Sequence, residues 1–222
     1  LYVDEDGELY RRNYQSFADD ISVSILKRNI ESYISVIGEP VYMESREIYY
    51  IAVPYNRAAQ PLSYIVSDGE TEYNVQVNLT YNGSRTAPVS VGEYLIGGAI
   101  NDAAYDGSYP GVLHGEDENG NAVYKPLYLI IERAVPTVDY SNLRVIINGN
   151  SYSRVPLVVT NNALQPVTLT MDMITGLTAN IGSGANVEGT FAFVGGSARI
   201  DKANENYIEV RFDPTDSESY SY

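Results

Sequence analysis

The sequence predicts an all-β protein built of tandem units. Apolar and polar residues alternate at strand period along much of the chain. Short turn signals separate these stretches. One spaced motif occurs twice: Asn56-Arg57-Ala58-Ala59-Gln60-Pro61 and Asn161-Asn162-Ala163-Leu164-Gln165-Pro166 share N-x-A-x-Q-P at an offset of 105 residues. The same offset places Ile25-Leu26-Lys27-Arg28 over Ile130-Ile131-Glu132-Arg133. Two matches at one offset mark a repeat, and a tandem array suits mechanical or adhesive work better than chemistry.

Taken in order, Ile21-Ser22-Val23-Ser24-Ile25 alternates as a half-buried strand does. Glu47 to Val53 is short, apolar and Tyr-rich, which also reads as a strand. Tyr73 to Thr80 alternates again. Leu127 to Ile131 and Leu143 to Ile147 are short apolar runs, Val167 to Met171 alternates, and Tyr207 to Phe212 closes the series. Asn82-Gly83, Asp106-Gly107, Asn119-Gly120, Asn148-Gly149 and Gly195-Gly196 supply the turns. Ser16 to Asp20 is too short for a helix. Ala99 to Tyr105 carries Asn101-Asp102 and runs into Asp106-Gly107, so it reads as a structured loop. Little helix is expected.

The offset divides the chain. Residues 1–27 read as the terminal strand or hairpin of a preceding or exchanged unit. Residues 28–135 form a first β-rich module, and residues 136–222 a second that lacks its last strand. Both ends read as cut from a longer array, or as ends that complete one another between neighbouring molecules by strand addition to an open edge. The connector Ala134-Val135-Pro136-Thr137 has no flexible Gly/Ser stretch, so the modules are expected to hold a preferred orientation.

Charge and composition narrow the function. There are 14 basic and 29 acidic residues, a net charge of −15. That balance argues against nucleic acid and against anionic membrane surfaces. No apolar run is long enough to span a bilayer, so no membrane insertion is expected in this segment. With no cysteine there is no disulfide and no thiol chemistry. The single histidine, His114, excludes a multi-His metal site. Tyr is abundant, at 21 residues against 4 Phe and no Trp; its ring is suited to sheet faces and its hydroxyl to module edges.

Three stretches together resemble a known family. Tyr81-Asn82-Gly83-Ser84 is followed by Val91-Gly92-Glu93-Tyr94-Leu95-Ile96, then by Ile100-Asn101-Asp102-Ala103-Ala104-Tyr105-Asp106-Gly107-Ser108. The set resembles the bacterial surface repeats of the MBG and YDG type. A companion form runs from Val187 to Phe193 and from Val210 to Asp216, with F-x-P-x-D-x-x-x-Y ending at Tyr220. The resemblance extends from about residue 13 to the end and is sharpest over residues 81–108. It implies Ig-like or β-grasp-like modules in tandem, an extracellular, cell-surface setting, and no catalytic residues or cofactor. The function it implies is structural: a stalk, spacer or fibre segment of a bacterial surface protein. The partners are neighbouring copies or adjacent repeats, with a host or matrix ligand as a further possibility. The alternative is an adhesin module binding a glycan or protein ligand through exposed Tyr. An enzyme is not expected.

A few residues still invite chemistry. Asp117, Asn119 and Asn121 have the alternate spacing of a calcium loop, but the twelfth position holds Tyr128 instead of an acidic residue. They are weak metal candidates, and a solvated hairpin tip is the plainer reading. Asp4-Glu5-Asp6-Gly7-Glu8 is similar. His114 has no nucleophile at a recognisable spacing. Lys27, Lys125 and Lys202 are the only lysines. Lys27, after a strand, is the best placed for an intramolecular Lys–Asn isopeptide bond, against the plainer reading of a solvated side chain.

Overall fold

The computed structural model describes residues 2–3, 9–10, 26–154, 159–160, 163–202 and 206–222. The expected strand 21–25, the Ser16 to Asp20 segment, the first acidic stretch, and Asn161 and Asn162 of the second motif copy lie outside the described residues.

The chain is all-β. Its first half contains β1 (Tyr2–Val3), β2 (Leu9–Tyr10), β3 (Arg28–Asn29), β4 (Ile34–Ile37), β5 (Val41–Met43), β6 (Ile48–Pro54), β7 (Ser63–Val66), β8 (Val77–Tyr81), β9 (Gly92–Ile100), β10 (Tyr105–Asp106), β11 (Val112–Glu116), β12 (Ala122–Lys125) and β13 (Leu127–Glu132). Then follow β14 (Thr137–Asp139), β15 (Arg144–Ile147), β16 (Asn150–Tyr152), β17 (Val159–Thr160), β18 (Ala163–Leu164), β19 (Val167–Leu169), β20 (Ile174–Thr175), β21 (Thr178–Asn180), β22 (Gly189–Phe193), β23 (Ala198–Ile200) and β24 (Val210–Pro214). Helix among the described residues is confined to three single 3-10 turns, Glu31–Tyr33, Glu44–Arg46 and Met171–Met173.

The largest sheet has the order β5-β6-β13-β9-β8. Strand β13 lies at its centre, parallel to β6 from Leu127↔Tyr49 to Glu132↔Pro54 and antiparallel to β9 from Tyr128↔Leu95 to Ile131↔Gly92. Alternation sorts its side chains. Leu127, Leu129 and Ile131 are buried at 1 %, 0 % and 1 % exposure. Tyr128, on the other face, lies under the Arg46 guanidinium, 5.7 Å from the ring centroid. Arg46 is held there by a bidentate pair with Glu93, both bonds 2.8 Å. The buried face packs with Ile34 and Val66 from the β4–β7 pair and with Val77, Tyr81 and Ile96 from β8 and β9.

Residues 134–220 supply two smaller clusters. One gathers Ala134, Ala179, Ile181, Val187, Phe212 and Tyr220, and the other Val145, Leu169, Phe193, Ala198 and Ile200. Their sheets are short: β14–β21, β16-β15-β20, β19–β23 and β22–β24.

Turn chemistry follows the sequence. Asn82 and Gly83 take φ of 50° and 82°, the positive pair of a tight two-residue turn. Tyr81 and Ser84 exchange main-chain hydrogen bonds across it. Asn82 then extends the sheet with its side chain: Oδ1 accepts from Leu95 N and Nδ2 donates to Glu93 O. At Gly107, φ is 143° and a Cβ would come within 2.8 Å of Glu31 N. Only glycine lets β10 lie against the chain entry at β3, which it pairs in parallel.

Three strands are shorter than their patterns predict. The 73–80 stretch forms a ladder only from Val77, because Tyr73 is drawn aside. Its ring stacks on Tyr33 at 5.6 Å and its hydroxyl donates to Asp68 at 2.7 Å. The 167–171 stretch ends at Leu169, where Met173 N turns back to Thr170 O. The 207–212 stretch begins at Val210 and continues to Pro214.

Replacing Leu129 with Ala is expected to cost about 2–5 kcal/mol in urea unfolding, since it opens a cavity in the central strand. Leu113→Ala, at a position 58 % exposed, should change stability by less than about 0.5 kcal/mol.

Candidate functional site

Of the residues singled out for chemistry, Asp117, Asn121, Lys27, Lys125 and His114 are each already engaged. At the β11–β12 tip, Asp117 Oδ1 accepts from Asn119 N and Asn121 N, both at 2.8 Å, and Oδ2 accepts from Asn121 Nδ2 at 3.0 Å. The Asn121 side chain and these amides hold the Asp117 carboxyl below its usual value. A carboxylate consumed by its own turn has few lone pairs left for a cation. Among the described residues, no group of three or more His, Asp or Glu is placed to hold a metal ion.

Lys27 is exposed and donates to the main-chain carbonyl of Asp102. Lys125 pairs with Glu47 at 2.9 Å. His114 Nδ1 lies 3.2 Å from the Tyr49 hydroxyl, and its ring centroid is 4.5 Å from that of Tyr42.

Several of the described tyrosines serve the fold. Tyr81 and Tyr64 hydroxyls accept from Leu62 N and Val77 N at 2.7 and 2.9 Å, replacing missing ladder bonds. Tyr94 donates to Ser90 O at 2.8 Å. Burial pushes the Tyr109 phenol up to about 12. Tyr33, Tyr73 and Tyr105 form a chain of ring contacts. The Arg28 guanidinium lies 5.9 Å from both the Tyr33 and the Tyr73 centroid.

A polar and aromatic cluster joins the two halves of the chain. Asn56 Oδ1 caps Ala58 N at 2.8 Å, and Arg57 takes a left-handed φ of 67° within this turn. That geometry carries the guanidinium to Tyr220, a residue 163 positions away. Arg57 Nε donates to the Tyr220 hydroxyl at 2.6 Å, and its Cζ lies 5.6 Å from the ring centroid. Tyr55 meets the same ring edge-on at 5.4 Å. Tyr220 is 3 % exposed.

The main chain fixes the tyrosine from behind. Asp216 Oδ1 accepts from Glu218 N and Ser219 N, forming the turn that aims Tyr220. Ala134 N then donates to Ser219 O, and Ser221 N donates to Ala134 O. Arg133 Nη1 reaches Ser217 O at 3.4 Å. The connector between the halves is thus tied on both sides: to β6 through Tyr55 N and Glu132 O, and to the 216–221 turn through Ala134. Sequence reading noted both the N-x-A-x-Q-P motif and the terminal Tyr220, but it held no local signal that they meet.

Residues 52–117 match the family model described as the MBG domain. The match contains the Tyr81–Ser84 turn and the Asn101–Gly107 loop, in agreement with the resemblance carried by residues 81–108. No curated protein and no solved structure matches the chain. No helix among the described residues is long and apolar enough to cross a membrane.

Three measurements check these placements. Calcium or a chelator in excess should leave the melting temperature unchanged, because the Asp117 oxygens are taken. The intact mass should equal the calculated value; a deficit of about 17 Da would mark an amide crosslink formed with loss of ammonia. Stability should fall as pH drops below about 4. The reason is that the Asp68, Asp117 and Asp216 carboxyls are held low: by Thr71 N and the Tyr73 hydroxyl, by Asn121, and by Ser219 respectively. A lowered folded value stabilises above the unfolded value, and that contribution is lost as pH falls through the folded one.

Proposed function

We propose that this chain is a structural segment of a bacterial cell-surface protein, a stalk or spacer in which β-rich modules stack head to tail. The MBG-domain match over residues 52–117 supports a repeat module of surface type and gives no reason to expect catalysis. The observation that carries the stalk reading is the Arg57–Tyr220–Tyr55 cluster, with the bonds that Ala134 makes on either side. A buried aromatic with its hydroxyl and ring both engaged, beside a connector without slack, resists rotation of one half on the other. Tyrosines spent on cores, ladders and this junction fit a spacer better than a binding surface. The net charge of −15 keeps such a segment soluble and unattached to acidic surfaces.

An adhesin module is the second reading. It rests on the half-buried Tyr42 and Tyr49 beside the exposed His114, an aromatic cluster on which a sugar ring could stack. Loss of glycan binding in Tyr42→Ala, with unfolding unchanged, would favour it.

Tyr220→Phe should cost about 0.5–1.5 kcal/mol for the lost hydrogen bond. Tyr220→Ala should in addition loosen the two halves. Small-angle scattering of the parent chain should fit one fixed arrangement, and the Ala variant should need an ensemble. Independent tumbling of the halves in the parent chain would sink the stalk reading.

A further inference from the structure

We propose that Tyr33 and Tyr73 form a site of oxidative crosslinking, at which a one-electron oxidant joins the two rings into a dityrosine. The proposal goes beyond the stalk reading and does not depend on it.

The main chain sets up the pair. Ser67 N donates to Tyr33 O, and Tyr73 N donates to Val66 O. The two tyrosines therefore flank the end of β7 from opposite sides. Their rings stack there, with centroids 5.6 Å apart and planes 26° from parallel. The Arg28 guanidinium lies 5.9 Å from both centroids, and its Nη2 donates to the Tyr33 hydroxyl at 3.4 Å. Both tyrosines are half-buried. Each ring is open to an electron acceptor, while its neighbour shields it from the ring of another chain.

The other tyrosine pairs among the described residues are less suited. Tyr42 and Tyr49 are tilted by 46°, Tyr55 and Tyr220 by 74°, and Tyr73 and Tyr105 by 76°. Two phenoxyl radicals couple from overlapping ring faces, and a near-perpendicular pair offers none.

Tyr73 also has a base for its proton. Its hydroxyl donates to Asp68 Oδ2 at 2.7 Å. The Thr71 amide and this hydroxyl hold the Asp68 carboxyl below its usual value, so it stands as an acceptor at neutral pH. The same bond raises the Tyr73 phenol and keeps it protonated at rest. A phenol that loses an electron becomes a strong acid. Its proton then passes along the existing bond to the carboxylate, which makes the electron easier to remove.

The oxidant is of the kind that a haem peroxidase generates from hydrogen peroxide. It takes one electron from each ring. The Tyr73 proton goes to Asp68 and the Tyr33 proton to water. A carbon–carbon bond forms between ring positions ortho to the hydroxyls, and the hydrogens displaced from those carbons are restored on the two oxygens through water. Two electrons and two protons leave in all, and one peroxide becomes two waters. A chain without cysteine has no disulfide to staple it. This bond would close β4 and β7 into one covalent ring and restrict the unfolded chain as a disulfide does.

Treating the full chain, at low concentration, with a haem peroxidase and hydrogen peroxide tests this. Expected are dityrosine fluorescence, an intact mass about 2 Da lower, no dimer on a denaturing gel, and a proteolytic fragment linking Tyr33 to Tyr73. Tyr33→Phe and Tyr73→Phe should each abolish that fragment, and Tyr42→Phe should leave it. The Phe variants keep the ring, and thermal unfolding against the parent checks that they fold. Asp68→Asn still accepts the hydroxyl bond but takes the proton poorly, so it should slow the crosslink several-fold. A rate that Asp68→Asn leaves unchanged would overturn the role of that carboxylate. Dityrosine formed only between chains, a link within the chain at another pair, or none while free tyrosine couples in the same mixture would overturn the site.

Discussion

The fold of the first half depends on burying one strand, β13, between a parallel and an antiparallel neighbour. Leu127, Leu129 and Ile131 are almost wholly removed from water, at roughly 1.5–3 kcal/mol each relative to exposure. Its partner β6 lies more than seventy residues earlier in the chain. The entropy of closing so long a loop is recovered only when the ladders on both sides and the apolar face form together. The other features of this half serve that closure. The Arg46–Glu93 pair covers the outer face, the Tyr81 and Tyr64 hydroxyls complete main-chain bonds, and β4–β7 closes the apolar face.

The same strand sets up the junction. Because β6 and β13 run parallel, both deliver their C-terminal ends to one end of the sheet. Tyr55, Arg57 and Glu132 therefore emerge together, where Tyr220 meets them. An antiparallel pairing would have placed the motif and the connector at opposite ends.

The sequence disclosed what local rules govern. The short apolar runs at Ile48–Pro54 and Leu127–Glu132 and the positive-φ turns at Asn82-Gly83 and Asn148-Gly149 were legible, because alternation and backbone sterics act over a few residues. Tyr73 misled, because its alternating pattern says nothing of a ring drawn to Tyr33 and Asp68. The MBG likeness was legible in residues 81–108, where turn and aromatic follow in fixed order. The junction was not: Arg57 and Tyr220 stand 163 residues apart, and which strand ends coincide depends on sheet order, which no local pattern encodes. At the β11–β12 tip, spacing alone could not tell a calcium loop from a turn whose carboxylate caps its own amides.

The way the chain enters and leaves the first half has a mechanical meaning. It enters through β3, beyond one end of the large sheet, and leaves through β13 at the other. Tension along the chain therefore acts parallel to β13, not across it. Its hydrogen bonds to β6 and β9 are loaded side by side in shear, so they must yield together instead of opening one after another like a zipper. Resistance to force is governed by the barrier to that concerted step, not by overall stability. A segment of modest size can thus hold a load for as long as its central strand stays seated.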